Sequence, residues 1–187
     1  LVYRALNELS DHNVFVNPLD WGRTSWMSYT ENDEERTSIE KSIMAFSQEL
    51  EKAKESNNKN IFDMQIHVGI LNEFEKKAPY SICVTAGIET DRVSADWLIK
   101  THKGVDKIIV PSEHAKSGFE KTSYQVVNKT KETETILECA CPVEVVPYPV
   151  KDIKIDHLDL DLQTAFNFLT VALLGPRKNL ENTIKCF

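Results

Sequence analysis

The stretch DKIIVPSEHAKSGF, residues 106–119, contains a strand signal followed directly by a helix signal. Residues 106–110 are a nearly continuous apolar run, which is typical of a strand buried on both faces. Pro111 and Ser112 end that run, and the Ser112 hydroxyl can accept a hydrogen bond from a backbone amide at a helix start. The stretch therefore predicts a strand at 106–110 and a helix at 113–121.

The same alternation of strands and helices extends in both directions along the chain. Apolar or β-branched runs predict further strands at 13–16, 61–67, 80–84, 143–150 and 166–172. Apolar residues at helical spacing predict helices at 2–9, 37–54, 70–77, 91–103 and 180–187. Strands that are apolar on both faces and alternate with helices favour a parallel sheet. The predicted fold class is α/β, with a Rossmann-like parallel sheet and helices on both faces.

The composition indicates a globular chain and argues against two classes of partner. Of 187 residues, 41% are hydrophobic and 27% are charged, and the net charge of -7 gives a pI near 5.3. Nucleic-acid binding is not expected, because it needs a basic face that neutralises phosphates. No apolar run approaches the roughly 20 residues of a membrane span, and residues 1–15 lack a signal-peptide pattern. The expected location is cytoplasmic.

The four cysteines are expected to be reduced, buried thiols. They lie in or beside apolar runs without the spacing of a disulfide framework: Cys83, Cys139, Cys141 and Cys186. Cys139 and Cys141 form a C-x-C pair that could bind a metal. No second pair and no suitably spaced histidines follow, so a zinc site is not expected.

The ends of the chain differ from those of an independent domain. It begins within a predicted helix with no strand ahead of it, and residues 151–162 alternate acids with Ile and Leu before the strand at 166–172. A strand, a loop and part of a helix cannot bury a core of their own. We therefore expect residues 1–163 to form one domain without its first strand, and residues 164–187 to begin a second, incomplete domain.

Local motifs for nucleotide binding or hydrolysis are absent from the sequence. The six glycines form neither a G-x-G-x-x-G motif nor a P-loop, and there is no G-x-S-x-G or H-E-x-x-H. Ligands of an open parallel sheet bind beyond the carboxyl ends of its strands, near the point where strand order reverses. Three segments are predicted to lie there: 67–69, 85–92 and 111–113.

Four segments, in this order and spacing, resemble one enzyme family: GIETDRVSADW, DKIIVPSEHAKSGF, PVEVVPYPV and FNFLTVALLGPRKNLENTIKCF. They are similar to retaining, family-4-like glycosyltransferases of the GT-B architecture, with the likeness covering residues 61–187. The resemblance implies two Rossmann-like domains facing a cleft, the first binding the acceptor and the second a nucleotide-diphosphate sugar. It also implies sugar transfer to an acceptor hydroxyl with retention, without a metal and without a cofactor beyond this co-substrate.

The resemblance assigns roles to two sets of residues. Arg177 and Lys178 match the basic pair that binds the donor diphosphate, where Lys178 would stabilise the leaving group. Val171 replaces an arginine that many members carry just after the first strand of the second domain. Residues at the predicted carboxyl ends of the strands are assigned to the acceptor: His67, Gly69, Gly87, Glu89 and Arg92.

The catalytic residue is left open between Glu89 and His67. Many family members carry a histidine where this chain has Gly87 and Ile88, and Gly87 would let the backbone turn at the cleft edge. Glu89 either contacts the acceptor or places charge at a helix N-terminus, and Asp91 is expected to do the latter. His67 either contacts the acceptor or is a structural residue at the end of a strand.

Several alternatives stay open at this point. Trp21 and Trp26 either stack on a sugar ring or pack beneath a loop, and Trp97 is expected in the core. The chain could instead be a non-catalytic Rossmann-like module that binds a carbohydrate or a partner, or part of a sugar-nucleotide epimerase of the same architecture. The expected acceptor is a sugar, a glycan or a lipid-linked molecule, and the last would bring the protein to a membrane surface.

Overall fold

The computed structural model of the chain describes residues 2–9, 11–19, 33–57, 61–86, 88–128, 133–150, 154 and 160–186. The chain divides into two units, Leu1–Tyr148 and Pro149–Phe187. The assignment of residues 164–187 to an incomplete nucleotide-sugar-binding domain stays a prediction. Among the residues described, no helix combines the length and the apolar composition needed to cross a bilayer.

The first unit contains most of the regular structure. Its helices are α1 (Val2–Leu9), α2 (Asp33–Ser56), α3 (Ala95–His102) and α4 (Glu113–Lys121), with a 3-10 turn at Leu71–Glu73. Its strands are β1 (Met64–Val68), β2 (Tyr80–Val84), β3 (Lys107–Val110), β4 (Tyr124–Asn128), β5 (Thr133–Leu137) and β6 (Val143–Val145). The predicted strand at 80–84 and helices at 2–9 and 113–121 are confirmed residue for residue.

Four of these strands form a parallel sheet in the order β1-β2-β3-β6. In its register Cys83 pairs with Ile108, and Ile108 pairs with Val143. The chain is therefore an α/β protein with a parallel sheet flanked by helices, which is compatible with the Rossmann-like class. The described strands follow one another in chain order, so the expected reversal of strand order does not occur among them. β4 and β5 form a separate antiparallel pair that the sequence analysis missed.

One face of the sheet forms the hydrophobic core. Alternate strand residues point to this face and are almost completely buried, because α3, α4 and the 3-10 turn pack against it. The side chains that meet there are Leu71, Phe74, Cys83, Leu98, Ile108, Val110, Ala115, Phe119 and Val143. Trp97, predicted in the core, is half-buried, and its ring stacks on Phe119 at a centroid distance of 5.9 Å.

The opposite face of the sheet is less protected from solvent. Met64, Val68 and Tyr80 are 42%, 53% and 42% exposed there. Lys107 and Glu144 form an ion pair across neighbouring strands on this face, with 2.7 Å between Nζ and Oε1. The pair raises the pKa of Lys107. The sheet is thus closely packed on one face and partly exposed on the other.

The ends of several elements are set by capping and by proline. The Ser112 hydroxyl accepts from the Ala115 amide at 3.2 Å and begins α4 as predicted. The Ser94 hydroxyl accepts from the Trp97 amide at 3.4 Å, so α3 begins at Ala95 and not at residue 91. The strand predicted at 143–150 ends at Val145, because the prolines that follow lack an amide to donate to a ladder.

Three other predicted elements are wrong or shortened. Residues 13–16 and 166–172 were predicted as strands, but both segments are irregular. An apolar run becomes a strand only when a neighbouring strand pairs with its backbone groups, and neither segment has such pairing within the described ranges. The predicted helix at 70–77 is reduced to the turn Leu71–Glu73.

The second unit has little regular structure among its described residues. It contains a 3-10 turn at Pro176–Lys178 and a short helix, α5 (Leu180–Lys185). Its apolar side chains face solvent, as shown by Leu169, Val171 and Leu173, which are 89%, 87% and 85% exposed. None of the side chains described in residues 160–186 is buried.

Candidate functional site

The carboxyl ends of the parallel strands meet at one edge of the sheet, which we call the carboxyl edge. Backbone hydrogen bonds continue one residue beyond the strands, from the Gly69 amide to the Val84 carbonyl and from the Thr85 amide to the Ile109 carbonyl, both at 3.0 Å. Gly69 and Thr85 therefore lie on neighbouring chains at this edge. Ligands of open parallel sheets bind beyond such carboxyl ends, and the sites known for this class lie where strand order reverses, which it does not do among the described strands.

Thr85 contributes a buried hydroxyl to the carboxyl edge. The residue is 3% exposed, and its Oγ1 has no hydrogen-bond partner within the described part of the chain. Buried polar atoms in folded proteins are almost always paired, and an unpaired one costs about 1–3 kcal/mol. The Thr85 hydroxyl is therefore a candidate ligand contact.

His67 lies at the end of β1 in a constrained orientation. It is 6% exposed, and its Nε2 is 3.1 Å from the Ile70 carbonyl oxygen. Since a carbonyl only accepts, Nε2 carries a proton and donates it to this bond. The ring also meets Phe74 edge-on, with centroids 5.8 Å apart. These contacts hold the imidazole in place as part of the structure.

Gly69 lies where the backbone passes close to other groups of the carboxyl edge. A β-carbon on Gly69 would be 3.1 Å from Leu19 Cδ1, 3.4 Å from His67 Nε2 and 3.8 Å from Glu73 Oε2. Any larger residue would crowd these atoms. The nearby Glu73 Oε2 is buried and, among the residues described, has no hydrogen-bond partner. It is the second unpaired oxygen of the carboxyl edge.

The loop after β2 is held by contacts with α4 and the segment that follows it. The His114 Nε2 donates to the Thr90 carbonyl oxygen at 3.0 Å. The Val93 amide donates to Thr122 Oγ1 at 3.2 Å, and the Val93 carbonyl accepts from the Tyr124 hydroxyl at 2.7 Å. His114, in the first turn of α4, is exposed and also anchors this loop.

Two of the predicted acceptor residues are exposed on this loop, namely Glu89 and Arg92. The Arg92 carbonyl accepts from the Thr90 hydroxyl at 2.8 Å, which tightens the turn between them. Three further predicted residues, Gly87, Trp21 and Trp26, lie outside the described residues.

The negative charge at the start of α3 comes from a residue that was not predicted for this role. Because the helix begins at Ala95, the acidic residue of its first turn is Asp96. Asp91 lies four positions before the helix, and the helix dipole acts only within the first turn. The interpretation of Asp91 as an N-terminal helix charge is therefore wrong. Glu89 lies still further from the start of α3, so it does not act as a helix N-terminal charge either.

The predicted donor-binding residues belong to the second unit. Arg177 and Lys178 are exposed and lie in the 3-10 turn Pro176–Lys178. Asn179, which follows them, has a left-handed backbone with φ of 49° and connects the turn to α5. Val171, at the position where the family often has arginine, is 87% exposed.

Other candidate sites in the described residues are weaker. No group of three or more His, Cys, Asp or Glu side chains there could hold a metal ion. An open cavity of about 350 Å³ lies between the end of α2 and residues 61–62, with Leu50, Ala53 and Phe62 among its lining residues. That cavity lies ahead of β1, away from the carboxyl edge, and neither Glu73 nor Thr85, whose buried oxygens are unpaired, lines it. The carboxyl edge is therefore the better candidate.

The carboxyl edge was predicted from the sequence, whereas its two unpaired oxygens were not. Thr85 follows directly after a predicted strand, and this position is the signal that could have singled it out. Glu73 had no comparable signal, because its burial depends on how the 3-10 turn packs beside β1.

Replacing Thr85 by valine is expected to raise the free energy of unfolding by about 1 kcal/mol, because the change removes an unpaired buried hydroxyl and keeps the shape. The matched control is Thr122→Val. The Thr122 hydroxyl donates to the Gly118 carbonyl at 2.6 Å and accepts from the Val93 amide. Its loss should lower the free energy of unfolding by about 1–3 kcal/mol. Urea unfolding followed by circular dichroism measures both, and equal destabilisation would show that the Thr85 hydroxyl is paired.

Comparison with known proteins adds no assignment to this geometry. No protein-family model, no curated protein and no solved structure matches the chain. The resemblance of its segments to glycosyltransferases stays a prediction.

Proposed function

We propose that the chain forms the acceptor side of a retaining glycosyltransferase, which transfers a sugar from a nucleotide-diphosphate donor to an acceptor hydroxyl. The observation that supports this most is the pair of buried, unpaired oxygens at the carboxyl edge, Thr85 Oγ1 and Glu73 Oε2. Specific ligand sites typically contain a few such polar groups within an apolar surround. A sugar, a glycan or the sugar of a lipid-linked acceptor supplies the matching groups.

The hydrogen-bonding capacity of these two oxygens fits a polyol. An ionised Glu73 carboxylate only accepts, so it suits the O–H of a sugar hydroxyl. The Thr85 hydroxyl both donates and accepts, so it can donate to the oxygen of a second sugar hydroxyl or accept from its O–H. Gly69 keeps the space beside Glu73 free of a side chain. In this proposal Gly87, Glu89 and Arg92 of the following loop complete the acceptor site.

In this proposal Glu89, His67 and the basic pair of the second unit have three different roles in the transfer. His67 acts in positioning, because its Nε2 proton is used in the bond to the Ile70 carbonyl. Glu89, on the exposed loop, is the remaining candidate for a direct role at the reacting centre. Arg177 and Lys178 neutralise the donor diphosphate as it leaves. The nucleotide sugar is a co-substrate, and neither a metal nor a nucleic acid takes part.

A non-catalytic carbohydrate-binding module is the second candidate. The held ring of His67 favours it, because a histidine fixed by a backbone carbonyl and an aromatic ring suits recognition better than proton transfer. The replacement of a family arginine by Val171 also favours it, because valine cannot contribute to binding the donor diphosphate. Such a module would use Thr85 and Glu73 to bind a glycan without turnover.

A panel of UDP-, GDP- and ADP-sugars, tested on the full-length protein, distinguishes the two candidates. A ligand that binds only the native state raises the apparent melting temperature. The glycosyltransferase should respond to one class of nucleotide sugar and should release the nucleoside diphosphate when an acceptor glycan is added. A response to glycans alone would favour the binding module, and no response to either would contradict both. The Thr85→Val variant should keep the donor response and lose the acceptor response.

A further inference from the structure

Two thiols lie next to each other at the end of the sheet opposite the carboxyl edge. Cys139 and Cys141 belong to the irregular segment that joins β5 to β6, just before β6 begins at Val143. Both are free and half-buried, and both pack against the hydrophobic core. They are separate from the candidate glycan site and have no role in the proposed transfer.

The position of the two residues permits a bond between their sulfur atoms. Cys139 Sγ donates to the Cys141 carbonyl oxygen at 3.4 Å, so the Cys139 side chain already lies against the backbone of Cys141. Residues two apart have α-carbons separated by about 5–7 Å, which overlaps the range of about 4.4–6.8 Å found across disulfides. The spacing of the two residues is therefore compatible with a disulfide.

The segment that carries the thiols is fixed to the last turn of α3. The Ala140 amide donates to Thr101 Oγ1 at 3.0 Å, and His102 Nε2 donates to the Glu138 carbonyl at 2.9 Å. These bonds hold the backbone on both sides of Cys139. They also bring the His102 imidazole to the backbone of the residue before Cys139. The fold therefore holds the segment that carries both thiols in a defined conformation.

The surroundings make the two thiols unequal. A hydrogen bond from Cys141 is the main reason that the pKa of Cys139 is lowered to about 7, and the charge of His102 acts in the same direction while burial opposes it. The same bond, burial and the charges of Cys139 and Asp106 raise the pKa of Cys141. The thiolate is the attacking form of a cysteine. Cys139 is therefore suited to attack and Cys141 to resolve.

We propose that Cys139 and Cys141 form a thiol–disulfide exchange site that reacts with a low-molecular-weight disulfide, R–S–S–R. The Cys139 thiolate attacks one sulfur, the S–S bond breaks, and RS⁻ leaves and takes up the proton that Cys139 released. Cys141 then loses its proton and attacks the Cys139 sulfur, and the second RS⁻ leaves and takes up that proton. The protein dithiol is oxidised to a disulfide, and R–S–S–R is reduced to two R–SH.

The test uses oxidised glutathione and the folded protein in a Cys186→Ser background, since the exposed Cys186 would react by itself. Cys83 serves as an internal control, because burial raises its pKa to about 12. Intact mass and peptide mapping after an acid quench should show the loss of two hydrogens and a bond between Cys139 and Cys141. The Cys141→Ser variant should stop at one glutathione on Cys139. The Cys139→Ser variant should react at least about tenfold more slowly.

Three outcomes would overturn the proposal. The first is a glutathione adduct that persists on Cys139 while Cys141 is present, and the second is a disulfide between two chains. The third is formation of the Cys139–Cys141 bond at the same rate in protein unfolded by urea. This last comparison shows whether the fold contributes to the reaction. Melting temperatures of the two serine variants, measured beforehand, verify that each reacts as a folded protein.

Discussion

Replacing Phe119 by alanine is expected to lower the free energy of unfolding of the first unit by about 3–5 kcal/mol. Phe119 is 0% exposed, and its ring stacks on Trp97 with an angle of 24° between the ring planes. It contributes from α4 to the closely packed face of the sheet, where Ile108 and Val110 also lie. The loss therefore combines the transfer of an aromatic side chain with a cavity that the neighbouring strands cannot close.

Urea unfolding monitored by circular dichroism measures this change, and the slope of the transition should stay constant. Phe166→Ala is the matched control, because the same atoms are removed from a residue of the second unit that is 74% exposed. It should change the free energy of unfolding by less than about 0.5 kcal/mol. A loss below about 1 kcal/mol for Phe119→Ala would contradict the position of α4 over the sheet.

Replacing Lys178 by alanine in the full-length protein is expected to lower kcat about 10²-fold or more. Under the proposed function, its ammonium group stabilises the diphosphate as negative charge develops on the leaving group. That charge is greatest in the transition state, so kcat should fall more than the KM for the nucleotide sugar rises. Steady-state kinetics with the donor identified by the nucleotide panel measures both constants.

The matched control for this change is Lys185→Ala. Lys185 lies on α5, seven residues further along the chain, and its Nζ is 2.5 Å from Glu181 Oε1. Its removal changes the net charge by the same amount and breaks an exposed ion pair worth at most about 1 kcal/mol. The kcat of this variant should match that of the parent protein. Equal kcat values for the two lysine variants would remove Lys178 from the donor site.

The strands and helices of the first unit were predictable where their signals are local. The strand at 80–84 and the helix that begins after Ser112 depend on residues within four positions of one another, and both are confirmed. The β4–β5 pair was missed because its apolar residues are exposed, as Val127 and Ile136 show at 56% and 65%. Such strands lack the buried face on which pattern analysis depends. The strand predicted at 166–172 is wrong for a different reason. Its residues form an apolar run, but this run has no pairing partner among the described residues.

The sequence by itself determined the α/β class, the main elements of the parallel sheet and several of the residues that lie at its carboxyl edge, because periodicity and capping act between near neighbours in the chain. Only the tertiary structure decided which polar groups stay unpaired. The Val93 amide reaches Thr122 across 29 residues, and the Ala140 amide reaches Thr101 across 39. The Thr85 hydroxyl meets no such partner in the described chain. Hydrogen-bond pairing depends on distances between elements, and these exist only after the helices have packed on the sheet.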